Sequence, residues 1–302
     1  MTVSLIICTR NRASELAGTL ENILPLVHDE SALLEIIVVD NGSSDGTRNL
    51  VERISIRWSK LRYSACAEKG LSKARNHGAG IARGEILVWT DDDVRVETDW
   101  LRNLIKPVLS GRCQCTVGRI EIAGHLSRAW MTPKHRVWLA ENIRPSKPRL
   151  VGANMAFTRN CLEMCGGFDP HLGAGALGFH EESLLGMKLE KNDIVPCYVD
   201  DAVIIHHFNP ERLSRDSWIT SAENAGASTA HVCHCWDRVR EDFLGIRLAW
   251  HHLMLWSWRL LNPISLVARE GIDLHEFGRV KTIAYLQGMR QLQKKQPRLP
   301  RP

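Results

Sequence analysis

The sequence predicts an α/β fold with a mostly parallel central sheet flanked by helices, followed by a C-terminal helical extension. Short apolar runs typical of buried strands cover Ser4 to Cys8, Ile36 to Val39 and Ile86 to Trp89. Segments with apolar residues at helical spacing separate these runs, so the chain begins in the order β-α-β-α. That order predicts parallel strands joined by right-handed crossovers, with ligands bound beyond the C-terminal ends of the strands.

Three segments between these runs are predicted to be helical. The first covers residues 14–27, with Ser14 as a candidate cap, and the second covers Thr47 to Ile54. The third lies within residues 67–85, and three cations are near its start: Lys69, Lys73 and Arg75. Cations oppose the helix dipole at an N-terminus, which favours a phosphate there; a solvated basic face is the alternative.

Three consecutive acids, Asp91, Asp92 and Asp93, follow the apolar run that ends at Trp89. Their charges repel one another, and hard Mg²⁺ or Mn²⁺ prefers carboxylate oxygens, so the triplet predicts a metal site. The alternative is a solvated turn with an N-cap for a helix from Glu97 onward. Asp40 ends the preceding apolar run, so we expect two acidic sites to face one crevice.

The second half of the predicted fold contains weaker patterns. Strands are predicted at Thr116 to Ile122, Met155 to Thr158 and Val199 to His207, with a short helix at Arg159 to Cys165. Residues 125–149 contain three prolines and read as an irregular segment, and Gly173 to Gly178 reads as a flexible loop.

Two further features of this half have both a structural and a functional interpretation. Glu181 and Glu182 open a helical pattern, where acids serve as dipole partners or as a general base at a cleft. His206 and His207 end a predicted strand, where they are either structural or ligands.

Composition bounds the class of protein. The 302 residues carry a net charge of +5, which is a weak indication of an anionic partner. The N-terminus lacks the pattern of a signal peptide, and the nine cysteines are odd in number, so we expect reduced thiols and a cytoplasmic location. His231, Cys233, His234 and Cys235 lack zinc-site spacing, which favours a structural role.

Seven stretches in this order resemble the inverting glycosyltransferases of family 2, which have the GT-A fold. The resemblance covers residues 3 to about 208. It rests on SLIICTRNR, IIVVDNGSSDGT, GLSKARNHGAGIARGEILVWTDDD, GANMAFTR, GGFD, HEESLL and DAVIIHH. It implies a catalytic domain at residues 1–209 that binds a nucleotide sugar, with residues 210–302 as the extension.

The resemblance also implies roles for individual residues. Those implied to bind the nucleotide are Thr9, Arg10, Asp40, Arg75, Asp91 and Asp92. Asp93 and His206 would hold Mg²⁺ or Mn²⁺ at the diphosphate, and residues Gly152 to Asn154 would shape the acceptor side. The family usually has Glu-Asp where this chain has Glu181-Glu182. The family's aspartate position corresponds to Glu182, which is therefore the implied catalytic base, and Glu181 is the second candidate. Adjacent helical residues point about 100° apart, so we expect one of the two to face the acceptor.

The extension is rich in tryptophan and cations. Its apolar residues are interrupted by charges and by Pro263, so a membrane span is not expected. Tryptophan and leucine among cations favour a peripheral helix on an anionic membrane surface, at the inner face of the cell membrane. The tail cations are Arg279, Lys281, Arg290, Lys294, Lys295, Arg298 and Arg301. The alternatives are a helical cap packed on the catalytic domain and a homodimer interface.

The expected function is transfer of a sugar from a nucleoside-diphosphate sugar to a saccharide or lipid-linked acceptor, in polysaccharide or glycolipid synthesis. A sugar nucleotidyltransferase is disfavoured because no glycine precedes Gly18 after the first strand. A dinucleotide oxidoreductase is weaker still, since no G-x-G-x-x-G follows that strand. A non-catalytic nucleotide-sugar-binding protein stays open, because Glu182 replaces the usual aspartate. We expect no nucleic-acid partner.

Overall fold

A computed structural model of the chain describes residues 1–295. It divides into two compact units, of which the first comprises residues 1–171 and 181–208. The second comprises residues 172–180 and the chain from 209 onward. The predicted tail cations Arg298 and Arg301 lie outside the described residues.

The first unit is an α/β domain built on an eight-stranded sheet. Its strands are β1 (Val3–Thr9), β2 (Leu33–Asp40), β3 (Leu61–Ala65), β4 (Ile86–Thr90), β5 (Val94–Val96), β6 (Cys115–Ile122), β7 (Asn154–Thr158) and β8 (Cys197–His206). Its helices are α1 (Ala13–Val27), α2 (Thr47–Ser55), α3 (Leu71–Ile81), α4 (Trp100–Leu109), α5 (Pro133–Trp138), α6 (Arg159–Met164) and α7 (Glu181–Lys191). The strand order is β3-β2-β1-β4-β7-β6-β8-β5.

The sheet is parallel in one half and mixed in the other. β3, β2, β1 and β4 pair in parallel, as the β-α-β-α order predicts. β7 then runs antiparallel to both β4 and β6, whereas β6 and β8 are parallel. The predicted α/β class with flanking helices is confirmed, and the sheet contains three antiparallel pairings alongside four parallel ones.

The central strands are mostly apolar and are buried on both faces. In β1, Leu5 and Ile7 pack into one hydrophobic core and Ile6 into the other. β4 alternates in the same way, with Val88 in the first core and Trp89 in the second. A strand covered on both sides reads as a continuous apolar run, which is why these strands could be predicted from the sequence.

The structure adds elements that the sequence patterns did not indicate. These are β3, β5 and α5. The helix expected from Glu97 onward in the alternative interpretation is α4. The alternative interpretation of the acid triplet as a helix cap is wrong, because the triplet leads into β5. Helix α4 begins only at Trp100, after Asp99 in a left-handed conformation with φ 61°. The segment 125–149, interpreted as irregular, contains α5, whose first residue is Pro133.

The second unit is mainly helical between residues 209 and 295. It contains α8 (Arg215–His231), α9 (Leu244–Leu261), α10 (Pro263–Val267) and α11 (Leu274–Lys295). A side chain on Gly226 of α8 would collide with the backbone of α11 at Lys281, so these two helices cross closely. The buried Glu276 of α11 binds Arg215 at 2.6 Å and Arg259 at 2.8 Å, which ties α11 to both α8 and α9.

Candidate active site

Polar residues follow the C-terminal ends of three neighbouring parallel strands. Thr9 ends β1, Asp40 ends β2 and is paired with Thr9, and Thr90 of β4 immediately precedes the acid triplet. Since β1 lies between β2 and β4, these ends share one edge of the sheet. The predicted convergence of acidic residues at one edge is the arrangement found in the structure.

Asp91, Asp93 and His206 form a group that could hold a metal ion. One ligand atom from each residue lies within 4.8 Å of the others. Residue Val94 of β5 is paired with His206 of β8, which brings the histidine to the triplet. Nε2 of His206 lies 3.2 Å from Oδ1 of Asp93, and both side chains are buried. Among residues 1–295, no second group of three or more potential ligands was found that could bind a cation.

The chemistry of this group fits Mg²⁺ or Mn²⁺. Nδ1 of His206 is buried without a hydrogen-bond partner among the described residues, and Oδ1 of Asp93 is buried beside Nε2 of the same histidine. Burial opposes ionisation of Asp93, but His206 and Arg12 outweigh it and lower the pKa of the Asp93 carboxyl. Burial raises the pKa of Asp91 against the attraction of Arg75. A divalent cation would supply the positive charge that ionised oxygens at this point require.

Asp92 is buried and pairs with Thr9 and Arg12. Its Oδ2 accepts a hydrogen bond from the Thr9 hydroxyl at 2.7 Å, and its Oδ1 lies 2.9 Å from Nη1 of Arg12. Burial, opposed by Arg12, raises the pKa of Asp92 to about 7. Thr9 and Asp92, both implied to bind the nucleotide, therefore contact each other, while Arg10 at the end of β1 is exposed.

Asp40 is buried and its carboxylate is held by two donors. Oδ1 accepts a hydrogen bond from the Ser43 backbone N–H, and Oδ2 accepts one from the Tyr63 hydroxyl, both at 2.8 Å. Burial and the Asp40 charge raise the pKa of Tyr63 to about 12. Tyr63 was not identified from the sequence because it lies on β3, whose short run carries little apolar signal.

Arg75 joins the acid triplet to the glutamate pair. It lies on α3, is buried, and has its guanidinium 5.4 Å from the centre of the Phe168 ring. Nη1 lies 3.2 Å from Glu181 and 3.0 Å from Glu182, and Nη2 lies 3.8 Å from Asp91. A residue expected beside the nucleotide thus contacts acids from two separate segments of the chain.

The two glutamates have different environments. The Glu181 side chain is 7% exposed, and burial together with the neighbouring Glu182 raises its pKa to about 8. The Glu182 side chain is 21% exposed, and its Oε1 accepts a hydrogen bond from the Gly152 backbone N–H at 3.1 Å. Although adjacent residues diverge on a helix, both carboxylates reach the same nitrogen of Arg75. The raised pKa of Glu181 favours the neutral form of that carboxyl.

Of the residues expected on the acceptor side, Gly152 contacts the Arg75–glutamate group, whereas Asn154 lies in the core of the sheet. A Cβ on Gly152 would lie 1.8 Å from Nη2 of Arg75 and 2.5 Å from Oε1 of Glu182, so only glycine fits there. Asn154 is fully buried in β7. Its amide accepts from the Trp100 indole and donates to the carbonyls of Arg119 and Ala202, so Asn154 holds neighbouring strands together.

The His/Cys segment lies apart from these groups in sequence, whereas Cys8 directly precedes Thr9. All nine cysteines are free thiols. His231 and Cys235 lie one helical turn apart, with Nδ1 and Sγ separated by 3.7 Å. His234 is buried within the π-helical turn Val232–Trp236.

Comparison with known proteins identifies related chains. The family model described as glycosyl transferase family 2 matches residues 4–166. A glucosyl-dolichyl phosphate glucuronosyltransferase from Haloferax volcanii is 22% identical over 57% of this chain and 58% of its own length. Succinoglycan biosynthesis protein ExoM from Rhizobium meliloti is 30% identical over 43% of this chain and 42% of its own length. The chain therefore spans about half the length of these curated relatives.

A solved structure supports the same fold across most of the chain. The mannosyltransferase PcManGT from Pyrobaculum calidifontis, in complex with GDP-Man and Mn²⁺, has a TM-score of 0.64 and 19% identity. The match covers 95% of this chain and 86% of that chain. At this identity the similarity shows the fold, and the GT-A architecture expected from the sequence is confirmed.

Proposed function

Since the chain belongs to glycosyltransferase family 2, we propose that it moves a sugar from a nucleoside-diphosphate sugar to an acceptor hydroxyl, with inversion and with Mg²⁺ or Mn²⁺ bound. One observation carries the proposal: the potential metal group of Asp91, Asp93 and His206 and the glutamate pair are linked through the buried Arg75. A departing diphosphate requires positive charge, and an attacking hydroxyl requires a base to accept its proton. The two groups must therefore be close together but separate.

At the donor end, Asp91, Asp93 and His206 would hold the metal. A bound divalent cation would act as a Lewis acid that neutralises charge on the departing diphosphate. Asp40 would accept a hydrogen bond from the nucleotide base, with Arg10 bordering the same pocket. Arg75 carries its positive charge 3.8 Å from Asp91, where it would stabilise negative charge near the scissile bond.

At the acceptor end, Glu182 would act as general base. Its carboxylate is oriented by the Gly152 N–H and by Arg75, so its geometry is fixed before an acceptor arrives. The new bond forms between the acceptor oxygen and the anomeric carbon while the bond to the diphosphate oxygen breaks, and the hydroxyl proton passes to Glu182. Glu181, with its raised pKa, would remain protonated beside it.

The class of acceptor is proposed from the relatives. A glucosyl-dolichyl phosphate glucuronosyltransferase and a succinoglycan biosynthesis protein are among the matching proteins, so we propose a saccharide or lipid-linked acceptor in polysaccharide or glycolipid synthesis. A thermal-shift screen of UDP- and GDP-linked sugars, with Mn²⁺ and with EDTA, tests the donor site. A true donor should raise the Tm with Mn²⁺ by mass action, and no shift with any sugar nucleotide would refute the proposal.

The second candidate function is a non-catalytic protein that binds nucleotide sugars. It is favoured by one departure from the family pattern, the glutamate at position 182 in place of aspartate. A binding protein would show the same Mn²⁺-dependent thermal shift without release of nucleoside diphosphate over many turnovers. An enzyme would release the diphosphate and transfer or hydrolyse the sugar.

Replacing Asp40 with alanine should weaken binding of UDP or GDP by about tenfold, because a charge-assisted hydrogen bond to the base is lost. Metal dependence should persist, since Asp40 belongs to a different strand end from Asp93. Isothermal calorimetry with and without Mn²⁺ measures both effects. Tyr63→Phe is the matched control: it removes a donor to Asp40 but leaves the carboxylate. Loss of the Mn²⁺ response in Asp40→Ala would mean that the two acids act as one site.

The extension has an exposed apolar face. Residues on one side of α9, with Phe243 just before it, are each more than half exposed: Phe243, Ile246, Trp250, Leu253, Trp256 and Leu260. Their spacing of three or four residues places them on one stripe. No helix among the described residues is long and apolar enough to cross a membrane. We propose that this stripe lies on a lipid surface at the inner face of the cell membrane, with a homodimer interface as the alternative.

Replacing Ile246, Trp250 and Leu253 by serine should reduce co-sedimentation with vesicles containing anionic lipid by at least about tenfold, because several apolar side chains no longer enter the bilayer. Deleting residues 245–302 should move the protein from the membrane pellet to the supernatant. Serine at the exposed Ile56, Val195 and Leu109 of the first unit is the matched control. Unchanged sedimentation of the α9 variant, with a dimer that dissociates, would contradict the lipid assignment and favour the homodimer.

A further inference from the structure

Arg12 bridges two of the three consecutive acids. Its Nη1 lies 2.9 Å from Oδ1 of Asp92, and its Nη2 lies 2.5 Å from Oδ2 of Asp93. The side chain is 33% exposed, whereas both carboxylates are buried. A planar guanidinium can satisfy two carboxylates at once, which an ammonium cannot. Arg12 is therefore a resident counter-cation of the acid triplet.

The backbone holds Arg12 in this position. The preceding Asn11 has a positive φ of 52°. Its N–H donates to the Ser43 hydroxyl at 2.8 Å, and its side-chain oxygen accepts from the Ser44 N–H at 2.7 Å. The N–H of Ala13 donates to Asp45 at 3.0 Å. Both neighbours of Arg12 are thus fixed to the loop after β2, and its guanidinium is directed at the acids.

The contact leaves the metal group only partly neutralised. Asp93 gives one oxygen to Arg12, and its other oxygen faces His206. Arg75 is shared with Glu181 and Glu182, so much of its charge is compensated away from the triplet. A divalent cation on Asp93 would share one carboxylate with a guanidinium of the same sign, which weakens its binding. A diphosphate beside the metal would bring negative charge that relieves this repulsion.

Resting on the proposed metal and donor site, we propose that Arg12 is a positioning residue that makes divalent-metal binding depend on the nucleoside diphosphate. Arg12 orients Asp93 for the metal and, by its charge, keeps the affinity for the metal alone low. Metal and diphosphate then bind cooperatively, and by linkage each raises the affinity of the other by the same factor.

Titration with Mn²⁺, followed by the electron paramagnetic resonance signal of the free ion, tests this coupling without measuring activity. The titration is made on the full chain alone and with GDP or UDP. Arg12→Gln should bind Mn²⁺ alone about tenfold more tightly than the wild type, and the enhancement by the diphosphate should fall by the same factor. Arg53→Gln, which removes one exposed cation from α2, should match the wild type.

The direction of the effect separates coupling from damage, since a disturbed site would bind Mn²⁺ more weakly. Unchanged or weaker binding of Mn²⁺ alone by Arg12→Gln overturns the inference without refuting the proposed function. If that variant fails to fold, Arg12→Lys decides: an ammonium cannot bridge both acids, so about threefold tighter binding is expected, and equal or weaker binding overturns the inference. If the wild type binds no Mn²⁺ even with GDP or UDP, the proposed function itself fails.

Discussion

Asp93→Ala is expected to lower Mn²⁺-dependent binding of a nucleoside diphosphate by about 100-fold or more, and to lower sugar transfer with it. Asp93 is buried, is ionised through its contacts with His206 and Arg12, and has its Oδ1 beside Nε2 of His206 in the group that could hold a metal. Alanine removes that oxygen and leaves Asp91 and His206 as two of the three potential ligands. Calorimetry of UDP or GDP binding with Mn²⁺ and with EDTA measures the loss.

The control for this variant is another aspartate of the same unit. Asp201 is exposed on β8, and Asp201→Ala should bind the diphosphate as the wild type does. The Tm of Asp93→Ala without metal shows whether the fold persists. A folded Asp93→Ala protein with undiminished Mn²⁺-dependent binding would remove the metal assignment from the acid triplet.

Glu182→Gln is expected to reduce turnover by about 10²- to 10⁴-fold, the usual effect of removing a general base. Donor affinity should stay close to that of the wild type, because the amide oxygen can still accept from the Gly152 N–H and from Arg75. Steady-state turnover and donor affinity are measured on the same protein. The separation of the two quantities distinguishes loss of the base from loss of the donor site.

Glu181→Gln serves as the matched comparison. The pKa of Glu181 is raised to about 8, so its side chain is largely neutral at pH 7, and a neutral amide of the same shape replaces it with little change. We therefore expect a much smaller loss of turnover. If Glu181→Gln is inactive and Glu182→Gln is active, the two roles are exchanged. If both retain turnover, neither glutamate is the base.

The sequence predicts the parts of the site that depend on strands buried on both faces. β1, β2 and β4 give continuous apolar runs, and acids directly after such runs must lie at the C-terminal edge of the sheet. Asp40 and Asp93 could therefore be placed in one region without coordinates. The same pattern gives no distance between them.

Contacts that depend on short or distant elements could not be predicted. His206 reaches Asp93 through the pairing of β8 with β5, a strand of only three residues. Arg75 meets Glu181 across a sequence separation of 106 residues, and no local pattern records such a contact. Arg12 belongs to the TRNR stretch at the end of β1, but cations near strand ends are common. Its partners are identified only by the distances from its guanidinium to Asp92 and Asp93.

The measurement that tests the central claim most directly is nuclear magnetic resonance of donor turnover. A sugar nucleotide with an α-linkage is incubated with the protein and Mn²⁺, and ³¹P signals follow the diphosphate while the anomeric proton coupling reports the first-formed product. The account predicts Mn²⁺-dependent release of nucleoside diphosphate, abolished by EDTA, with a β-configured product. Release that is unaffected by EDTA, or a product that keeps the α-configuration, would contradict it.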